Sequence, residues 1–383
     1  MPRAILLSPG PGRGDAGPVE IPVFRYMDWA KSHVGAGELR LHRSDAETPT
    51  PEELPLEPAA IRLARPITPV PDPEIAAAVA RRYRVPAECV MPACGTHHAN
   101  FLLARALARP GDRVLVESPF YEALPRVFEA VGATVLPVPR PREAAGRLPL
   151  DAIRAGLRDG ARLVALTDLH NPSGVRLRPD DLAALETAAG DAGATVLLDE
   201  VYRDFLPPPV GTAFLPDGPF VVSSSLTKVY GLGLLRFGWA LAPPAIVDRM
   251  RRMNDLLVVN PPAPSASIAL GAWDRLDAIA ARRRETAARN FRVLSAWVRG
   301  RRDLAWSPPD AGITALLEVE SLRGGDDVAW VERLIAATGV AVVPASMFGA
   351  PGGFRVSFGL PTEPFTEALD RLGSFLDRTG RGA

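Results

Sequence analysis

Lys228 lies in the run Ser223-Ser224-Ser225-Leu226-Thr227-Lys228-Val229-Tyr230-Gly231, followed closely by Arg236 in Leu235-Arg236-Phe237-Gly238-Trp239. It is one of only two lysines in a chain of 383 residues where lysine and arginine together number 44. A primary amine condenses with an aldehyde to give a Schiff base, whereas a guanidinium stays protonated and is a poor nucleophile. A GC-rich genome favours Arg, Ala, Gly and Pro and accounts for the scarcity of lysine. It does not account for the surroundings of Lys228. Ser225 and Arg236 flank it with a hydroxyl and a guanidinium, which together suit a phosphate dianion or, equally, a structural hydrogen bond.

Three more clusters have similar potential. In Thr195-Val196-Leu197-Leu198-Asp199 a carboxylate closes an apolar run. An unpaired charge there would be costly, so Asp199 should find a cationic or hydrogen-bonding partner, or else cap a helix. Tyr202, three residues on, could face the same place. Asn171-Pro172-Ser173-Gly174 reads as an ordinary turn, from which Asn171 could also direct its amide at a ligand oxygen. Cys94-Gly95-Thr96-His97 joins a strand to a helix; glycine permits close backbone approach and the first helical turn offers free N–H groups to an anion. A plain turn explains it as well.

The elements that must position these groups alternate. Short apolar, β-rich runs over 89–92, 113–117, 134–138, 162–167, 195–199, 220–225 and 239–242 read as strands, with helical patterns over 96–108, 121–131 and 179–192 between them. That order predicts a mostly parallel sheet covered by helices, with ligands at the carboxyl ends of its strands. Before it, 22–34 reads as a short helix, and eight prolines between Pro49 and Pro73 predict an ordered loop. After it, a long helical stretch over 265–301 carries Arg282-Arg283-Arg284, read as a solvated face. Strands over 313–319, 340–343 and 354–358, with helices over 328–337 and 363–378, predict a smaller α+β domain.

Composition narrows the partners. Basic and acidic residues balance at 44 each, so the global charge draws in neither nucleic acid nor anionic membrane. Two cysteines make no disulfide framework and suit a reducing compartment; five histidines show no metal spacing. The only histidine cluster, His97-His98, reads by itself as an accident of a helix start. No apolar stretch approaches bilayer length or a secretory signal. A cytoplasmic protein acting on a small molecule is expected.

In this order and spacing, Asn171-Pro172-Ser173-Gly174, Asp199-Glu200-Val201-Tyr202 and Ser225-Leu226-Thr227-Lys228 with its Gly-Leu-Gly-Leu-Leu-Arg continuation resemble the class I/II aminotransferases, which are fold type I pyridoxal phosphate enzymes. The resemblance runs from about Pro73 to Phe358. It implies that Lys228 binds the cofactor aldehyde and then moves the proton between Cα and C4′. Asp199 would hold the pyridine nitrogen protonated, and Asn171 and Tyr202 would hydrogen-bond the ring oxygen. Gly95, Thr96 and His97, with Ser225 and Arg236, would cradle the phosphate; Tyr121 would stack on the ring. Arg355 would clamp the substrate carboxylate, with Asn171 beside it. No metal is implied.

The same resemblance implies an α/β large domain over 46–270, a C-terminal small domain over 271–383, and an arm and helix over 1–45 that join the small domain. It implies a homodimer that exchanges an amino group between an amino acid and a 2-oxo acid. It extends equally to β- and γ-eliminases and capreomycidine-type cyclases; a non-catalytic effector-binding module, as in regulators that fuse this fold to a DNA-binding domain, is a separate class of reading. No N-terminal helix-turn-helix pattern is present and nearly every cofactor position is filled, so an enzyme is expected. Two departures stand out: no tyrosine occurs between Tyr26 and Tyr83 to reach a partner subunit's phosphate, and Leu169 replaces a usual proline. Lys31 has no chemical context and reads as a surface residue.

Overall fold

The computed structural model describes residues 21–33, 35, 37–140, 146–208 and 211–379; the expected arm over 1–20 and Val34 of the first helix lie outside them. In chain order the elements are α1 (Arg25–Ser32), β1 (Leu39–Arg40), α2 (Pro73–Tyr83), β2 (Val90–Ala93), α3 (Thr96–Leu107), β3 (Arg113–Ser118), α4 (Ala123–Glu129), β4 (Thr134–Pro139), α5 (Leu150–Arg158), β5 (Leu163–Thr167), α6 (Pro179–Ala192), β6 (Thr195–Asp199), β7 (Phe220–Ser225) and β8 (Gly238–Leu241). There follow α7 (Pro244–Asn254), α8 (Ala263–Gly271), α9 (Leu276–Arg299), β9 (Leu304–Trp306), β10 (Thr314–Val319), α10 (Asp327–Thr338), β11 (Val340–Ala341), β12 (Val343–Pro344), β13 (Gly353–Ser357) and α11 (Thr362–Thr379).

Seven strands form the main sheet in the order β2-β8-β7-β6-β5-β3-β4. β8 runs antiparallel to both its neighbours, and the pairs from β7 to β4 are parallel. Both faces are covered. On β5, Leu163 and Ala165 belong to one apolar core, with Leu102, Leu103 and Met250, while Val164 and Leu166 belong to the other, with Ile153 and Leu185. Two-sided burial explains the unbroken apolar runs, each fully buried Leu or Val contributing about 1.5–3 kcal/mol.

The C-terminal part holds an antiparallel sheet, β12-β13-β10-β9. The 24-residue α9, about 36 Å long at helical rise, ties it to the main sheet. Its Asn290 amide donates to the carbonyls of Phe358 and Leu360 at 2.9 and 2.7 Å. β1 pairs with β11, Leu39 opposite Val340, which fixes the N-terminal segment against this part.

Three sequence expectations change. The helical stretch over 265–301 is two helices, interrupted after Gly271 by a turn in which Trp273 packs edge-on against Trp239 and Phe237. The strand over 340–343 is divided: β11 serves the β1 pair and β12 the small sheet. All four residues are buried, so periodicity carried no sign of the switch. The arginine run is not a solvated face, because only Arg282 is exposed. Arg283 pairs with Glu53 at 2.7 Å and Arg284 donates to the Asp204 carbonyl at 2.9 Å, anchoring the proline-rich loop and the turn after β6 to α9. α2, α5 and α7 were not anticipated, although Asp72 caps α2 by accepting from the Glu74 and Ile75 amides ahead of Pro73, a legible start signal.

Candidate active site

The carboxyl ends of the parallel strands surround a cavity of about 280 Å³ lined by Thr96, His97, Tyr121, Asn171, Asp199, Tyr202, Thr227, Lys228 and Arg236, with Met27, Thr167 and Val201. Of the anticipated residues, Gly95, Ser225 and Arg355 are not part of this wall. Gly95 precedes Thr96. The Ser225 hydroxyl accepts the Thr227 N–H at 3.3 Å, and Thr227 takes the lining position. Arg355 stands behind Asn171.

At one end, Gly95 caps α3 with φ +83°. A Cβ there would lie 2.7 Å from the Arg236 guanidinium, so only glycine permits this approach. Arg236 is exposed, itself has φ +50°, and donates to the carbonyls of Cys94 and Gly233, each at 3.2 Å. The Thr96 hydroxyl is buried and has no partner. An orphaned hydroxyl, the first N–H groups of a 12-residue helix and a guanidinium are the donor set a phosphate requires.

In the middle, Asp199 ends β6 and is buried. Its oxygens accept from the Asn100 side chain at 2.9 Å and from the Val201 N–H at 3.1 Å. Burial pushes its carboxyl up to about 6 despite these bonds, the state of an acid awaiting a positive partner. His97 bonds the Tyr121 hydroxyl at 2.9 Å, and burial first, then the Lys228 and Arg236 charges, lower it to about 4, so it is neutral. Asn171 is held from behind: its N–H donates to the Thr167 hydroxyl at 3.1 Å, and that hydroxyl donates to Glu117, itself paired with Arg140. The Asp168–Leu169 peptide at the start of this loop is cis.

Lys228 enters from the turn after β7. Desolvation lowers its amine from the ordinary lysine value, and Arg355 adds to that against the raising effect of Asp45, Tyr26 and Asp199. Its Nζ donates to the Ser44 hydroxyl at 2.7 Å, and the Tyr202 hydroxyl donates to the Ser44 carbonyl at 2.6 Å.

Arg355, in the middle of β13, is wholly buried. It donates to Asn171 Oδ1 at 3.3 Å, the His42 carbonyl at 2.8 Å and the Tyr26 hydroxyl at 3.3 Å, and it lies over the rings of Tyr26 and Phe348. Its Nε has no partner. Among the described residues no carboxylate pairs with it. Burial would raise the Tyr26 hydroxyl, but the Arg355 and Lys228 cations overcome this and hold it below the ordinary phenol value.

Tyr26, His42, Ser44 and Asn100 were not anticipated. Asn100 had a signal, a polar residue four places after Thr96 on the face of α3 that also carries Leu103. The other three had none, since what brings them here is contact with residues far along the chain. No helix of the described residues is long and apolar enough to cross a membrane.

A family model described as aminotransferase class I and II matches residues 57–372. Capreomycidine synthase of Streptomyces vinaceus is 30% identical over 379 residues, covering 96% of this chain and 97% of that protein. An aromatic amino acid aminotransferase of Thermobifida fusca (strain YX) is 32% identical over 303 residues, 76% of this chain and 79% of its own. Among solved structures, the pyridoxal phosphate-dependent cyclase OrfR superposes with a TM-score of 0.82 at 26% identity, covering 97% of this chain and all of that one.

Proposed function

This chain belongs to the class I and II aminotransferase family, whose members use pyridoxal 5′-phosphate, and we propose that it moves an amino group from an amino acid to a 2-oxo acid. The observation that carries this reading is Arg355. A guanidinium sealed from water with only neutral acceptors and two ring faces around it is poorly compensated. An anion arriving from the cavity would restore the balance, and a planar carboxylate suits its fork. Asn171 and Tyr26, its present partners, would yield their bonds to that carboxylate, which sets the substrate α-carbon toward Lys228.

The residues present fit the cofactor. The Gly95, Thr96 and His97 backbone, the Thr96 hydroxyl and Arg236 would hold its phosphate. Ser225 would support that cradle through Thr227. Asp199, already straining to keep a proton, would ionise beside the ring nitrogen and hold it protonated, with Asn100 fixing the carboxylate. Asn171 and Tyr202 would bond the ring oxygen, and Tyr121, propped by His97, would flank the ring. When bound, the group supplies an electron sink for the pair left at Cα as its proton departs. Lys228 would carry the aldehyde, then take the Cα proton; its desolvated amine holds less tightly to its own proton, which favours its use as a base.

Cyclisation or elimination is the second reading, and one observation favours it. In sequence alignment the synthase matches nearly the whole chain, whereas the aromatic amino acid aminotransferase covers about three quarters of it. Incubating the holoenzyme with single amino acids and no 2-oxo acid tests both. Transamination leaves the cofactor in its amine form with one equivalent of 2-oxo acid. Ammonia or a cyclised product with unchanged cofactor replaces it with the second reading.

A homodimer completes the proposal. Ile67, Val70 and Val259 line one surface groove beside Arg251, Asn254 and Asp255, and Leu63, Leu256 and Leu257 are exposed near them in sequence, a mixed apolar and polar surface suited to a second copy. Light scattering at micromolar concentration should give twice the monomer mass of 40.9 kDa.

A further inference from the structure

Residues 41–47 cross the site as a strap tied at both ends. The Leu41 carbonyl accepts the Ser357 N–H at 2.7 Å and the His42 carbonyl accepts from Arg355 at 2.8 Å. Farther on, the Ala46 N–H donates to the Lys228 carbonyl at 2.8 Å. At Gly231, φ +66°, a Cβ would come within 2.0 Å of the Glu47 carbonyl oxygen, so the strap is pressed directly against the turn that carries Lys228. Ser44 sits between these anchors, 9% exposed. Its hydroxyl takes the Lys228 amine and its carbonyl takes the Tyr202 hydroxyl.

We propose that Ser44 is a positioning residue for the Lys228 amine, receiving it on its hydroxyl whenever that amine is not engaged with the cofactor. The inference rests on the reading of Lys228 as the working amine. A base that has let go of the cofactor must stay aimed at the substrate α-carbon, and a long flexible side chain loses its aim without a fixed acceptor. Because the strap is pinned by main-chain bonds, the Ser44 hydroxyl is such an acceptor. It directs one N–H of the amine away from the cavity. The charged and titratable groups around the amine are Asp45 and Tyr26 from the N-terminal segment, His97 from α3, Asp199 from β6, Tyr202 just after it and Arg355 from β13, with Tyr121 and Arg236 on the same cavity wall. A hydroxyl accepting from the amine favours its protonated form.

The chain offers an internal standard, since its only other lysine, Lys31, is exposed on α1. Cofactor-free protein is labelled with trace acetic anhydride across a pH series, and acetylation at Lys228 and Lys31 is read by mass spectrometry. In Ser44→Ala, which keeps the carbonyl that Tyr202 uses, the Lys228 midpoint should fall below the wild-type one while Lys31 is unmoved. Ser44→Thr, which keeps the hydroxyl, should restore it. In the holoenzyme, kcat of Ser44→Ala should drop about tenfold with KM within about twofold, as expected for a misaimed base. An unchanged Lys228 midpoint in Ser44→Ala overturns the proposal. Borohydride reduction of the wild-type holoenzyme separates this from the premise: cofactor fixed to Lys228 leaves the premise standing, and cofactor fixed nowhere overturns both.

Discussion

Arg236 and Arg355 serve opposite ends of the site, Arg236 on the cavity wall and Arg355 behind Asn171, and they differ in nearly everything else. Arg236 is exposed, lies in left-handed backbone just before β8 and bonds two main-chain carbonyls. Arg355 is buried in mid-strand, surrounded by Asn171, His42, Tyr26 and Phe348. An exposed charge is solvated and screened, and at that end helix N–H groups and the Thr96 hydroxyl share the anion with it. A buried charge has no such help, so a correct anion there returns the whole cost of leaving it bare. The cofactor end should therefore tolerate change and the substrate end should not.

Removing the group that both ends serve sets the upper limit. Lys228→Ala should lower turnover at least about a thousandfold and abolish borohydride trapping of the cofactor, measured by mass spectrometry. Arg355→Leu comes next: kcat/KM should fall by about a hundredfold to a thousandfold while cofactor content, read from absorbance, is unchanged. Equal losses of cofactor and activity in that variant would break the distinction between the two ends.

Asp199 sharpens the comparison through pH. In the cofactor-free protein its carboxyl is raised from 3.8 to about 6, so the folded chain holds a proton that the unfolded chain has released between these values. The resulting stability is present below pH 3.8 and lost as pH rises through about 6. Asp199→Asn removes that loss, and by pH 7 its cofactor-free form should have gained up to about 3 kcal/mol on the wild type, followed by denaturant melts at several pH values. The same variant should bind cofactor poorly. The smallest effect belongs to Arg236→Gln, whose cofactor Kd should rise about tenfold and whose kcat at saturating cofactor should stay within about twofold. A hundredfold loss of kcat there would erase the contrast with Arg355.

The sheet was legible because buried strands and turn residues leave local marks, and Asp199 was legible because a carboxylate that ends an apolar strand needs a partner to offset its burial. Lys228, Asn171 and Tyr202 followed from spacing and resemblance. Tyr26, His42 and Ser44 were not legible, since a short helix and an irregular strap carry no sign of what they will touch. Arg283 and Arg284 misled for a related reason: a charge run looks solvated until its distant partners, Glu53 and the Asp204 carbonyl, are in place. Asn100 lies between these cases, visible as a polar break in an apolar face but not assignable to Asp199.

The strap also has a timetable. Ser44 leaves the ribosome long before Lys228, 184 positions later, and His42 precedes Arg355 by 313. Contacts of such separation carry a large loop-closure cost. The main sheet is complete in sequence at β8, well before β13 is made, so a nascent or truncated chain can present the lysine turn but not the arginine, nor the strap pinned to it. Aldehydes and amino acids in the cell thus meet a finished pair of poles only on a finished chain.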